Sequence, residues 1–280
     1  MSYSNLTFQV QPNLSFKTHD FVNLSGEFIP NTSTTTTSTT VVPTTTSTTT
    51  TTTTLNVISS GLRIYVDASN PASYSGSGST WYDLSGNGYN GTLSGSTAYN
   101  SANGGYIALQ SNTGYIDFGL SSAESSSSPY TFGVWLQVPI IGTTVPMCRG
   151  NDTTGSFPAG WNLATVVVSG GFNASIVTSV PSIAQTNAVY STAYSTNTWY
   201  YHISVWNPSA GTLKVYINGI LRATQNTSGT VLRNSGTGWN TTTASTKYDC
   251  SLGSMIVYNT VLSDAEILQN FNSTKTRFGY

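Results

Sequence analysis

Apolar and polar residues alternate in short runs along the chain from Leu55 to its end. Runs of four to eight residues with a period of two, separated by Gly, Asn, Ser and Pro, predict short antiparallel strands. We therefore expect an all-β fold, an antiparallel β-sandwich. The predicted strands span 62–67, 105–109, 114–119, 131–138, 199–206 and both arms of 213–224.

Four of these segments carry a more specific prediction. Segments 105–109 and 114–119 are expected to pair with each other, and 131–138 is expected to be a central strand. Segment 199–206 places aromatic or β-branched residues on both of its faces, so both faces are expected to be covered.

Two local motifs predict a hairpin and a helix. Asn218-Gly219 stands between two alternating runs, and a type I′ turn favours this pair because both central residues need φ > 0. Ser263 and Glu266 form a capping box ahead of a single short C-terminal helix that closes the domain. The apolar face of that helix consists of Ile267, Leu268 and Phe271.

A threonine-rich tract precedes the strand pattern. Residues 31–54 contain 17 threonines and 3 serines, with no charge and no glycine. Threonine is stiff at χ1 and a poor helix former, so the backbone favours extended conformations. At roughly 3.3 Å per residue an extended tract reaches roughly 80 Å. The two interpretations are a linker, disordered or O-glycosylated, and an extended spacer that satisfies its backbone groups against other copies of the chain.

The first thirty residues are too short and too poor in apolar groups to fold alone. We interpret residues 1–30 as an anchor that docks into a larger assembly, with a disordered tail as the alternative. The domains are thus a 1–30 anchor, a 31–56 stalk and a 57–280 sandwich. The candidate anchor residues are Leu6, Phe8, Val10, Phe16 and Phe21.

Charge and cysteine content narrow the function classes. Only 7% of residues are charged and the net charge is −1, so we expect neither nucleic acid nor a membrane as a partner. The N-terminus lacks the basic start and apolar run of a signal peptide, and release by cell lysis, as for a virus, fits this.

Cys148 and Cys250 either form one bridge or remain two buried free thiols, and the second interpretation is favoured.

Segments 63–93, 199–223 and 251–279 together resemble the laminin-G-like, concanavalin A-like jelly rolls of phage and bacterial surface proteins. The resemblance covers most of residues 57–280. It implies two packed antiparallel sheets of about a dozen strands, often used to bind glycans or proteins. A threonine tract ahead of such a domain resembles the arrangement in phage fibre and decoration proteins.

The residues do not favour catalysis. Glycoside hydrolysis needs two carboxylates beside the scissile bond, but the three glutamates lie in the anchor, in a Ser-rich loop and in the capping box. His202 occupies the strand where the resembled family usually has a histidine after an aromatic residue, which favours a structural role over that of a general base. Nothing in the sequence brings Cys148 close to it.

Two kinds of ligand site remain candidates. Trp161 and Trp239 lie in Gly- and Asn-rich contexts that suit stacking on sugars, although either ring is also suited to plugging the end of the core. Calcium is the candidate cofactor, because laminin-G-like domains often hold it at a sheet rim, and Asp67, Asp83 and Asp249 are the weak candidate ligands.

We expect a non-enzymatic phage virion protein, a head fibre, decoration or short tail-fibre subunit on the exterior of the particle. Residues 1–30 would attach it to a capsid or tail protein, and the jelly roll would adhere to glycans or the host surface. A homotrimer is the expected state and a dimer the alternative. The rival readings are a carbohydrate-binding module or adhesin of a bacterial cell surface and, third, a polysaccharide-degrading enzyme.

Overall fold

The structure is a computed structural model that describes residues 56–111, 113–119, 128–139, 144–149, 163–168, 171–178, 184–192, 194–227, 239–240 and 249–280. Its described strands form two antiparallel sheets, which confirms the predicted all-β sandwich. Among these residues, no helix has the length and apolar character needed to cross a membrane.

The strands of sheet I are β1 Leu62–Asp67, β4 Thr97–Asn100, β5 Tyr106–Leu109, β7 Tyr130–Gln137, β12 Trp199–Asn207, β13 Thr212–Ile217, β14 Ile220–Asn226 and β16 Cys250–Tyr258. Their order is β14-β13-β12-β7-β16-β5-β4, and β1 also pairs with β16.

The strands of sheet II are β2 Thr80–Trp81, β3 Gly91–Ser94, β6 Tyr115–Asp117, β8 Thr144–Arg149, β9 Leu163–Val168, β10 Gly171–Thr178, β11 Ala184–Tyr190 and β15 Trp239–Asn240. Their order is β11-β10-β9-β8-β15-β6-β3-β2.

The strand predictions hold except for one pairing. Strand β1 has the predicted bounds, and β7 is central because β12 and β16 flank it. The expected pairing of 105–109 with 114–119 is wrong: β5 pairs with β4 and β16 in sheet I, whereas β6 pairs with β3 and β15 in sheet II. The chain therefore passes from one sheet to the other between β5 and β6. A short connection between two strands suggests a hairpin, and that is why the pairing prediction was wrong.

The main core lies between the two sheets. Alternate residues of β7 from Tyr130 to Leu136 belong to it, as do Val138 just after the strand and Leu252 and Met255 of β16. Sheet II contributes Leu93 and Ile116 to the same cluster. Burial of these large apolar side chains is the dominant stabilising term of such a sandwich.

A second core covers the opposite face of sheet I. Helix α1, Asp264–Thr274, and the 3-10 helix Lys275–Phe278 pack on the outward residues of β7 and β12. Trp135 lies at the centre, stacked on Phe278 with ring centroids 4.1 Å apart. Both faces of β12 are covered, as its sequence predicted.

Both local motifs are confirmed. Asn218 and Gly219 have φ values of 54° and 76° in the turn between β13 and β14. At the start of α1, the Glu266 backbone N–H donates to the Ser263 hydroxyl, and the Ser263 N–H donates to the Glu266 carboxylate at 2.7 Å.

The segment that enters the domain is fastened to α1. The Ile58 N–H donates to Asn270 Oδ1 at 2.8 Å, and the Ile58 carbonyl accepts from the Tyr258 hydroxyl at 2.9 Å. Gln269 donates to the Asn56 carbonyl. The described chain is therefore held at both ends on the same outer face of sheet I.

Candidate functional site

A polar cleft of about 580 Å³ opens at one end of sheet I. Its floor is a row of residues paired across neighbouring strands, with Ala108 opposite Ser251 and Ser251 opposite Gln137. Directly opposed residues of antiparallel strands lie on the same face of a sheet. Trp199 is opposite Gln137 and belongs to the second core, on the outer face of sheet I. The floor of the cleft therefore lies on the outer face of sheet I.

Turns at the strand ends supply the rim. Gln110 and Ser111 follow β5, and Asn197 lies in the turn before β12. Asn197 has a φ of 55°, donates its N–H to the Val138 carbonyl and accepts from Gln137 Nε2 at 2.8 Å. That turn is thus fixed against the end of β7, which gives the rim a defined position.

One aromatic ring borders the cleft. Tyr106 lies half-buried on the same face of β5 as Ala108, and its ring meets Trp199 edge to face with centroids 5.4 Å apart. The Trp199 indole N–H donates to Asn103 Oδ1 at 3.2 Å, so the Trp199 ring that Tyr106 contacts is itself held in place. A held aromatic ring among amides and hydroxyls is the arrangement that sugar-binding sites use.

Asp249 is the one carboxylate that lines the cleft among the described residues. The other described carboxylates accept hydrogen bonds from the protein elsewhere. Those acceptors are Asp67, Asp83, Asp117, Asp264 and Glu266. The described part of the cleft consequently lacks the carboxylate pair that glycoside hydrolysis requires.

The three calcium candidates lie in different surroundings. Asp67 accepts from Arg277 at 2.8 Å and from Ser69, and both oxygens of Asp83 accept from backbone N–H groups of its own loop and of β1. Asp249 lies in the cleft, apart from both. No group of three His, Cys, Asp or Glu side chains that could hold a metal occurs within the described ranges. Calcium binding stays a prediction.

The tryptophan and anchor candidates are placed in part. Trp239 lies in β15, opposite Arg149 of β8 in sheet II. Trp161 lies outside the described residues, as does every predicted anchor residue. The structure therefore leaves sugar binding by these tryptophans as a prediction.

His202 and Cys250 are both fully buried in sheet I. Burial lowers the pKa of His202 to about 3, so its imidazole is neutral near pH 7. Cys250 is a free thiol whose pKa is raised, chiefly by burial and further by Asp249. The imidazole of His202 has no exposed surface, which fits its predicted structural role.

Two other depressions flank the C-terminal end of α1, with volumes of about 450 and 250 Å³. Both are lined by Tyr65, Ser273 and Thr274. The Thr274 hydroxyl accepts from the Trp135 indole at 2.8 Å and donates to the Asn270 carbonyl. We assign these depressions to the packing of α1, because their shared polar groups stabilise its end.

Most of the cleft has no signal in the sequence. Asp249 is a calcium candidate from the sequence, whereas Tyr106, Gln110, Gln137 and Asn197 carry no motif. Their common feature is a position at or beside a strand end, and this becomes informative only when the strand order is known.

The family follows from the sequence as well as the fold. A family model described as the concanavalin A-like lectin/glucanases superfamily matches residues 109–268, more than half of the chain. The chain belongs to this family, as the resemblance implied. Comparison with curated proteins gave no match.

Solved structures with a similar fold include binding domains. The binding domain of botulinum neurotoxin DC, in complex with rat synaptotagmin II, is 14% identical with a TM-score of 0.57, covering 78% of this chain and 52% of that one. The binding domain of Paraclostridial Mosquitocidal Protein 1 is 15% identical with a TM-score of 0.59, covering 77% and 52%. A Trypanosoma rangeli sialidase mutant displaying trans-sialidase activity is 13% identical with a TM-score of 0.56, covering 80% and 34%. The chain thus spans about half the length of the binding-domain chains it matches, and the likeness is one of fold.

Proposed function

We propose that this protein is a non-enzymatic adhesion subunit whose jelly roll binds glycans through the polar cleft on sheet I. The observation that carries the proposal is the cleft itself: a fixed aromatic ring, amide and hydroxyl groups and a single described carboxylate around a floor of small residues. Its volume lies within the range of about 300–1,000 Å³ that is usual for small-molecule sites.

The binding domains among the similar structures support a binding role over catalysis. Family membership alone leaves both open, since the family description includes lectins and glucanases. The distribution of carboxylates favours binding, because Asp249 is the one carboxylate among the described residues that line the cleft, and hydrolysis would need a pair.

We further propose that the jelly roll is displayed on the exterior of a phage virion. Residues 1–30 would attach the chain to a capsid or tail protein, and the threonine tract would hold the binding domain away from the particle. The low charge and the tract composition support this placement. A homotrimer would let three extended tracts satisfy one another's backbone groups.

The test of glycan binding uses the full chain on immobilised bacterial polysaccharides and neutral oligosaccharides. Tyr106→Ala should weaken retention at least about fivefold, because stacking on one ring contributes on the order of 1 kcal/mol or more. Tyr106→Phe should retain binding, since it keeps the ring. Tyr82→Ala is the matched control, because Tyr82 is 52% exposed and lies away from the cleft. No retention by the wild type, or equal retention by Tyr106→Ala, would overturn the proposal.

The virion placement has a separate test. Particles purified from a lysate that contains this chain should carry it at fixed stoichiometry after density-gradient separation. Light scattering of the full chain should give the mass of a trimer. A chain that stays monomeric at micromolar concentration and sediments apart from particles would instead favour the cell-surface binding module.

A further inference from the structure

We infer that the cleft on sheet I binds two consecutive sugars of a glycan chain, and that Gln137 is the residue that recognises one of them. This inference rests on the proposed glycan-binding function and names the smallest full ligand of the same site. It follows from the length of the cleft floor and from the direction in which the side-chain amide of Gln137 is held.

The floor of the cleft is longer than one sugar ring. Ala108 of β5, Ser251 of β16 and Gln137 of β7 are paired in one row across three neighbouring strands. Neighbouring strands lie about 4.8 Å apart, so the backbones at the two ends of this row are separated by about 10 Å. A single pyranose ring is shorter than the row, whereas two linked sugars cover it.

An aromatic ring lies along one side of this row. Tyr106 is on the same face of β5 as Ala108, and its ring contacts that of Trp199. Trp199 is the residue of β12 opposite Gln137. The Tyr106 ring therefore extends from β5 toward β7 beside the floor, where the apolar face of a sugar that follows the row packs against it.

Amide side chains lie at both ends of the row. Gln110 follows β5 at one end and is exposed, and Gln137 with Asn197 forms the other end. A side-chain amide both donates and accepts hydrogen bonds, as each sugar hydroxyl does. The two ends therefore offer hydrogen bonds to different sugars of a bound disaccharide.

The amide of Gln137 is held in one direction. Its Nε2 donates to the Asn197 carbonyl at 2.8 Å, and because a carbonyl only accepts, the amide nitrogen must face Asn197. Gln137 Oε1 is thereby the atom that accepts from a ligand, and the ligand group that meets it must be a donor. A hydroxyl or the N–H of an acetamido group meets that condition, whereas an O-methyl or O-acetyl group at the same position does not.

The first experiment measures binding as a function of glycan length. The polysaccharide that the full chain retains is cut by partial acid hydrolysis into fragments of one to four sugars, and each fragment is titrated calorimetrically. The disaccharide should bind at least about fivefold more tightly than the monosaccharide, the gain expected from about one further hydrogen bond. Equal affinities of these two fragments would overturn the inference and leave the proposed function standing. A wild type that retains no polysaccharide would overturn both.

The second experiment tests Gln137 itself. Gln137→Met keeps the length of the side chain and removes the amide, so the ratio of disaccharide to monosaccharide affinity should fall from at least about five to near one. Gln225→Met is the matched control, because Gln225 also donates its Nε2 to a backbone carbonyl, that of Asn226, and lies on β14. An unchanged ratio in Gln137→Met, or an equal fall in Gln225→Met, would overturn the inference. The length series uses the wild type alone, so it decides the number of sugars even if Gln137→Met fails to fold.

Discussion

Arg277 donates to Asp67 at 2.8 Å, joining the last turn of the chain to the end of its first described strand. The same guanidinium donates to the carbonyls of Gly105 and Gly253 at 2.9 and 3.0 Å. One side chain thereby ties together β1, the residue before β5 and the irregular point of β16. The side chains are only 17% and 9% exposed, so this is a largely buried pair.

Removing one partner of this pair should be costly. We expect Asp67→Ala to lower the free energy of unfolding by about 3 kcal/mol, because a lone guanidinium would remain desolvated. Chemical denaturation of the full chain measures the change. The control is Arg222→Ala: the exposed Arg222 side chain of β14 lies over the Tyr190 ring, and its removal should cost less than about 1 kcal/mol. Equal losses in the free energy of unfolding would contradict the prediction that breaking the Asp67–Arg277 pair is costly.

His202 should make stability depend on pH. Its pKa is lowered by burial to about 3 in the folded protein, against 6.5 in the unfolded chain. Between these values the unfolded state binds the proton and the folded state does not, so stability is full above pH 6.5 and falls on acidification. The slope should approach about 1.4 kcal/mol per pH unit around pH 4 to 5.

The measurement is denaturant unfolding at a series of pH values for the wild type and His202→Gln. Glutamine does not titrate, so the variant should lose this component of the slope whatever its absolute stability. A variant with an unchanged slope would mean that His202 is not the group responsible.

The capping box makes a smaller prediction. Ser263→Ala should destabilise the protein by about 1 kcal/mol, since the Glu266 N–H loses its acceptor. Hydrogen bonds from the Ser263 N–H and hydroxyl lower the pKa of Glu266. The contribution of the capping box to stability is therefore complete above the ordinary glutamate pKa, and it is lost as the pH falls through the lowered pKa of Glu266. Ser263→Asp, which keeps a capping oxygen, should recover most of the loss. Loss of stability by both variants would point to packing rather than capping.

A side chain at Gly219 should destabilise the protein. Its φ is 76°, and an added Cβ would lie 3.1 Å from Leu268 and 3.2 Å from Phe271 of α1. Gly219→Ala should therefore cost more than the roughly 1–2 kcal/mol of the left-handed conformation alone. Gly86→Ala isolates that conformational part, because Gly86 has a φ of 86° with nothing within 4 Å of the added atom. Thermal melts of the two variants should differ, and identical shifts would exclude crowding against α1.

Local chemistry made the correct structural predictions possible. The turn at Asn218 and the cap at Ser263 depend on a few adjacent residues, and both were readable from the sequence. The pairing of 105–109 with 114–119 depended instead on which sheet each strand joins. That choice is made by distant partners, β16 for the first and β3 for the second, so neighbouring strands misled the prediction.

The cleft was hidden for the same reason. Tyr106, Gln137, Asn197 and Asp249 come from four separate segments, and register between β5, β16, β7 and β12 brings them together. Tryptophans in glycine-rich contexts, such as Trp161 and Trp239, are the stacking rings that a sequence makes visible. A half-buried tyrosine beside a floor of alanine and serine gives no such signal.

Glycan recognition by the cleft is tested most directly by a crystal structure of the full chain soaked with a neutral oligosaccharide that it retains. We predict sugar density on the outer face of sheet I, with one ring against Tyr106 and hydroxyls within hydrogen-bond distance of Asp249 and Asn197. Well-ordered sugar bound elsewhere on the jelly roll, with the cleft filled by water, would contradict the assignment.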